Sequence, residues 1–138
     1  MANARSGMAV SKECLDKFHD LQKSRTYRFI TYKIEKDEIV VDTFGEPSKT
    51  YADFSAALPE KDCRYAVFDY EFVTDDNCHK SKIFFIAWSP DTSPIKNKMI
   101  YASSKDTFRQ QLSGVQIELQ ATDASEMDIS IIKDKASR

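Results

Sequence analysis

Ile83-Phe-Phe-Ile-Ala-Trp88 is apolar at every position. A strand with one wet face alternates polar and apolar residues, so an unbroken run of this length predicts a strand covered on both sides, at the centre of a sheet. The stretch before it, Cys63-Arg-Tyr-Ala-Val-Phe-Asp-Tyr-Glu-Phe72, supplies a second strand with Ala66, Phe68, Tyr70 and Phe72 on one face. Further upstream, residues 27–34 and 38–44 are rich in β-branched and aromatic side chains, and Glu35-Lys-Asp37 between them has the length of a hairpin turn. Downstream, Pro90 closes the apolar run. Ser93 as N-cap and Pro94 at the first helical position then open a long helix that runs to about Leu112 and stops at Gly114. Val115, Ile117 and Leu119 alternate as a further strand, and Ser125-Glu-Met-Asp128 opens a last helix through Ile129 and Ile132.

Two shorter helices complete the pattern. Ser11 is an acceptable N-cap for one that carries Cys14, Leu15, Phe18 and Leu21 on a single stripe. Thr50-Tyr-Ala-Asp53 is a capping box for the other, which holds Phe54 and Leu58 and is stopped by Pro59. Residues 1–10 have no period that would bury a face, and read as a mobile arm before one domain over residues 11–138. Helices and strands alternating in this order predict an α/β fold of the α+β kind, a mixed sheet with helices on both faces.

Composition narrows the function. With 138 residues, 41% hydrophobic and 12% aromatic, the chain has enough apolar matter for one core. Its 20 Lys and Arg against 22 Asp and Glu leave a net charge of −2, so no global field draws it to nucleic acid or an anionic membrane. Cys14, Cys63 and Cys78 are odd in number and widely spaced, which reads as reduced thiols in an intracellular protein. No run approaches the ~20 apolar residues of a membrane span, and the first residues lack the apolar stretch of a secretory signal.

Catalytic parts are scarce. His19 and His79 have no metal-ligand spacing and read as surface histidines, and no glycine-rich phosphate loop is present. Asp75-Asp76, and Asp69 with Glu71, read as solvated charges, and the expectation is a protein with no catalytic residue, metal or cofactor.

The long helix carries the one pattern that points to a partner. At about 100° per residue, Ile100, Tyr101, Ser104, Phe108 and Leu112 share a face that should meet the core, while Ile95 and Met99 point the other way with Lys96 and Lys98 on either side. That is a small apolar patch rimmed by positive charge, suited to an acidic, uneven protein surface. The alternative is that Ile95 and Met99 cover a neighbouring loop. Lysines in a first helical turn oppose the helix dipole, at about 0.5 kcal/mol each, which favours a role toward a partner.

Asp62-Cys-Arg-Tyr-Ala-Val-Phe-Asp69, Lys80-Ser-Lys-Ile-Phe-Phe-Ile-Ala-Trp-Ser-Pro90, Lys96-Asn-Lys-Met-Ile-Tyr-Ala-Ser-Ser-Lys105 and Glu118-Leu-Gln-Ala-Thr-Asp123 together resemble the actin-depolymerising factor/cofilin family, and its plant members most. The similarity runs from the opening Met-Ala-Asn-Ala-Arg-Ser-Gly-Met8 to the last helix. It implies a single ADF-homology domain with a mixed sheet of five or six strands sandwiched by helices. It also implies binding to monomeric and filamentous actin, with filament severing and depolymerisation; the alternative is a filament stabiliser or bundler on the same fold.

The resemblance further implies where the contacts lie. Ser6, Gly7, Met8, Ile95, Lys96, Lys98 and Met99 would contact both forms of actin, and Lys80, Lys82, Lys133, Lys135 and Arg138 would contact a neighbouring subunit in the filament. Ser6, preceded by Arg5, would be the target of a protein kinase whose phosphate inhibits binding. Phosphoinositide lipids would compete with actin through Lys96, Lys98 and Lys105. A monomer in the cytoplasm, on the actin cytoskeleton, is expected, with nuclear import left open by the basic stretch from Lys23 to Arg28. Two features depart from the common plant pattern: the short turn at Glu35-Lys-Asp37, and Ile95-Lys-Asn97 in place of a frequent Val-Arg-Ser or Val-Lys-Ser.

Overall fold

The computed structural model describes residues 8–137. Strands β2 (Phe29–Glu35) and β3 (Glu38–Gly45) pair antiparallel, and the turn between them is made by Lys36 and Asp37. Both turn residues have positive φ, 53° and 64°, the left-handed pair that matches the twist of a two-residue hairpin. β4 (Arg64–Val73) joins the other side of β2, and β5 (His79–Trp88) pairs antiparallel with β4 along its whole length. β1 (Ala9–Val10) and β6 (Ile117–Ala121) add in parallel at the two ends, giving six strands in the order β1-β3-β2-β4-β5-β6. The expected mixed sheet of five or six strands is thus a six-stranded one.

Helices α1 (Lys12–His19), α2 (Tyr51–Ala56), α3 (Ile95–Gln110) and α4 (Ile129–Ala136) cover the sheet in two layers. Cys14, Phe18 and Leu21 with Tyr101, Phe108 and Leu112 pack on Ile30, Tyr32, Tyr65, Val67, Ile83 and Phe85. Phe54, Met127, Ile132 and Ala136 pack on Phe29, Ala66, Phe68, Phe84 and Ile86 from the other side. Alternation along β5 therefore feeds both cores, which is why its run is apolar throughout. β5 lies next to the end strand β6, however, while β2 and β4 hold the middle of the sheet. Burial on both faces, and not central position, is what the apolar run encodes.

Four local expectations shift. The fold starts before Ser11, because Met8 is 6% exposed within the first core and β1 pairs with β3. α1 is capped by Ser11 as expected, but it continues through one π-helical turn, Asp20–Ser24, and stops at Arg25 in the left-handed region. Ser93 does not cap α3: its buried hydroxyl donates to the Pro90 carbonyl at 2.7 Å and faces Cys63 Sγ at 3.4 Å, leaving Pro94 at the N-cap. Ser125 lies in a 3-10 turn, Ala124–Met127, and α4 is opened by Asp128, which accepts from the Ser130 N–H at 3.0 Å.

Candidate functional site

α3 is pinned to the sheet by its inner face. Tyr101, Ser104 and Phe108 are buried there, the Ile34 N–H donates to Tyr101 Oη at 2.8 Å, and Tyr65 Oη donates to the Tyr101 carbonyl. The opposite face of the first two turns carries Ile95, 73% exposed, and Met99, 66% exposed. Among the described residues, these are the most exposed large apolar side chains. The next two, Val73 and Phe44, are farther covered; Phe44 lies edge-on to Tyr27, with Lys17 Nζ 4.3 Å above its ring.

Lys96 is exposed beside the pair, and Lys98, half-buried, donates to the Asp91 carbonyl at 2.9 Å. Ile95, Lys96, Lys98 and Met99 are thus brought onto one surface, as expected. Lys105 is placed differently. It pairs with Glu118 at 2.6 Å and Asp106 at 3.5 Å, and the bond to Glu118 holds it above the ordinary lysine range. Its ammonium is committed inside the molecule, so the expected trio with Lys96 and Lys98 does not form an open cluster. Lys98 and Lys105 do share one flank of α3, where a groove of about 370 Å³ runs past Trp88 and Gln120.

The remaining expected contacts lie elsewhere. Met8 is buried and offers no accessible side chain, which corrects its placement in the binding surface. Ser6, Gly7 and Arg138 lie outside the described residues. Lys80, exposed, and Lys82, half-buried, stand opposite Phe72 and Tyr70 at the start of β5, where the β4–β5 pair extends beyond β2 and β6. α3 follows the other end of that strand, and ten residues at about 3.3 Å each separate the two ends by roughly 30 Å. Lys133 and Lys135 sit in the last turn of α4, in the layer across the sheet from α3.

Two polar clusters were not read from the sequence. Asp69, expected as a solvated charge, is 2% exposed, and Arg25 Nη1 lies 2.8 Å from its Oδ1. Arg28 binds the Pro47 carbonyl through Nη2 at 2.8 Å and pairs with Glu71 at 3.2 Å, so the basic stretch is largely engaged within the fold. The second cluster fastens the start of α3. Asn97 Nδ2 donates to Asp62 Oδ1 at 3.0 Å, Arg64 Nη1 meets Asp62 Oδ2 at 2.9 Å, and Arg64 Nε meets Asp42 Oδ2 at 2.9 Å. Burial works to raise the Asp62 carboxyl, but the bonds from Arg64, the Cys63 N–H and Asn97 outweigh it and hold the group below its ordinary value. Neither cluster has a sequence period; the Asp-x-Arg spacing around Cys63 is the sole local hint.

Of the thiols, Cys14 is buried, donates to the Ile39 carbonyl at 3.3 Å, and is pushed by burial up to about 11. Cys63 is buried and Cys78 is exposed, while His19 and His79 are both at the surface.

A family model described as cofilin/tropomyosin-type actin-binding protein matches residues 7–137. The chain belongs to this family. Actin-depolymerizing factor 6 of Oryza sativa subsp. japonica is 59% identical, over 99% of this chain and 99% of its own. Actin-depolymerizing factor 7 of Arabidopsis thaliana is 60% identical over the same shares. Among solved structures, Streptomyces griseoflavus cofilin superposes with a TM-score of 0.88 at 36% identity, covering 95% of this chain and 98% of that one. The cofilin fold therefore extends across the chain, with α3 and its exposed pair inside the matched region.

Proposed function

We propose that this chain binds monomeric and filamentous actin through the first two turns of α3 and promotes filament severing and depolymerisation. The observation that carries the reading is the adjacent pair Ile95 and Met99, the most exposed large apolar side chains among the described residues, with Lys96 and Lys98 beside it. An apolar spot of this kind excludes water on docking, and the lysines steer it toward an acidic surface.

Lys80 and Lys82, with Lys133, Lys135 and Arg138, form the second surface of the proposal, toward a neighbouring subunit. Contacts on two sides of one molecule suit a polymer, where adjacent subunits offer two faces at once. A protein that prefers a twisted filament over the ordinary one shifts the polymer toward that state, so severing needs differential affinity and no covalent step. Phosphorylation of Ser6 by a kinase inhibits binding in this reading, by adding about 1.5 to 2 negative charges. Phosphoinositides compete through Lys96 and Lys98, while Lys105 takes part only by leaving Glu118. The protein acts as a monomer on the cytoplasmic actin cytoskeleton.

Imaging of single labelled filaments tests the activity. Added protein should produce new ends along filaments within minutes; thickened, longer-lived bundles without breaks would replace severing by stabilisation on the same contacts.

A further inference from the structure

α3 starts under a handicap. Pro94 occupies its N-cap with no side-chain cap, and the first turn has no acidic residue but two lysines facing the positive end of the helix dipole. A turn built this way frays unless something outside it holds it. It also displays Ile95 and leads directly into Met99.

Lys98 Nζ reaches back to the Asp91 carbonyl at 2.9 Å in the preceding segment, and the group that ties the turn to the sheet is Asn97. Its amide reaches Asp62 Oδ1 at 3.0 Å, and Asp62 is itself fixed through Arg64 to Asp42 on β3. Asp62 also accepts the Cys63 N–H at 2.8 Å, so its carboxylate is locked before Asn97 arrives. The link brings a carboxylate to the start of the helix, the charge that its own first turn lacks. Helix geometry sets the consequence: Asn97 is two residues from both Ile95 and Met99, and so lies about 160° from each around the axis. Drawing Asn97 inward therefore turns the apolar pair outward.

We infer that Asn97 is a positioning residue of the proposed interface, tying the first turn of α3 through Asp62 to β4 and β3 so that Ile95 and Met99 are presented in one fixed orientation. This rests on the binding reading above, and the experiment separates the two.

Hydrogen exchange on the free protein reads the tether alone. Asn97→Ala should speed exchange of the Lys98, Met99 and Ile100 amides at least tenfold, with the melting temperature within a few degrees of the parent. Filament co-sedimentation of the same variant should weaken about tenfold. Asp62→Ala should do likewise, and Asp62→Ala with Asn97→Ala should bind no more weakly than Asp62→Ala, since both changes cut one link. Asn97→Ser is the milder truncation if the alanine variant does not fold. Unchanged exchange overturns the inference, as does faster exchange with parental binding, or losses that simply add. If the parent fails to pellet, or Lys96→Ala with Lys98→Ala pellets like the parent, the binding reading itself falls and takes the inference with it. If those controls behave and Asn97→Ala alone binds like the parent, only the inference falls.

Discussion

Asp69 marks the limit of reading single residues from sequence. Its place on β4 is legible, but its partner is not: Arg25 reaches it because α1 closes on a π-helical turn and a left-handed residue, a geometry with no sequence period. Burial raises the Asp69 carboxyl, Arg25 and Arg28 pull it back, and Glu71 raises it further, with a net shift upward from 3.8. A carboxyl whose folded value lies above its unfolded one holds its proton more tightly when folded. Its contribution is therefore fully present below the ordinary value and is lost as pH rises through the raised one. At neutral pH the ionised group is no net gain, so Asp69→Asn should change stability by less than about 1 kcal/mol at pH 7. Thermal melts between pH 4 and 7 should show the variant with a flatter profile than the parent; a steep loss at pH 7 would show the ion pair to be strongly stabilising. Cys14 is the contrary case, a thiol whose burial follows directly from its position on the apolar stripe of α1.

At the level of elements, what is local was legible and what is tertiary was not. The capping box of α2 forms as read, with Asp53 Oδ2 accepting the Thr50 N–H at 2.9 Å and Thr50 Oγ1 accepting the Asp53 N–H at 3.2 Å. Ser93 has the right residue type for a cap, but a contact with Cys63 and the Pro90 carbonyl turns it inward, and no local rule announces that. β1 is two residues long and exists through its pairing with β3, so periodicity had nothing to detect. The inner and outer faces of α3, by contrast, were separated by angle alone, because its buried residues Tyr101, Ser104 and Phe108 fall on one side of the axis. Tyr101 is the key to its inner face. Tyr101→Phe leaves the Ile34 N–H without its acceptor, and should cost about 1 to 2 kcal/mol in denaturant unfolding. A cost near zero would mean that water replaces the hydroxyl freely. The Asp62 tether has the opposite pH sign to Asp69. Its folded value is lowered, so its contribution is present above the ordinary carboxyl value and is lost only as acid carries pH down through the folded value.

Over the whole molecule, the sandwich of one sheet between two helical layers was legible because both faces of the sheet leave their mark in alternation, and the run at β5 reports two covered faces at once. The arrangement of the residues in the proposed binding surface was legible in part. The first two turns of α3 carry the four expected residues, Met8 is withdrawn into the core, Lys105 is held by Glu118, and Lys80 and Lys82 stand at the far end of β5. The separation of the two basic regions follows from strand length, which sequence supplies, and from the layer assignment of α4, which only packing decides. The most direct test of the account is co-sedimentation of Lys96→Ala with Lys98→Ala against the parent at matched filament concentrations. The parent should pellet with filaments, and the double variant, with an unchanged melting temperature, should bind at least tenfold more weakly; pelleting equal to the parent would contradict the assignment of α3.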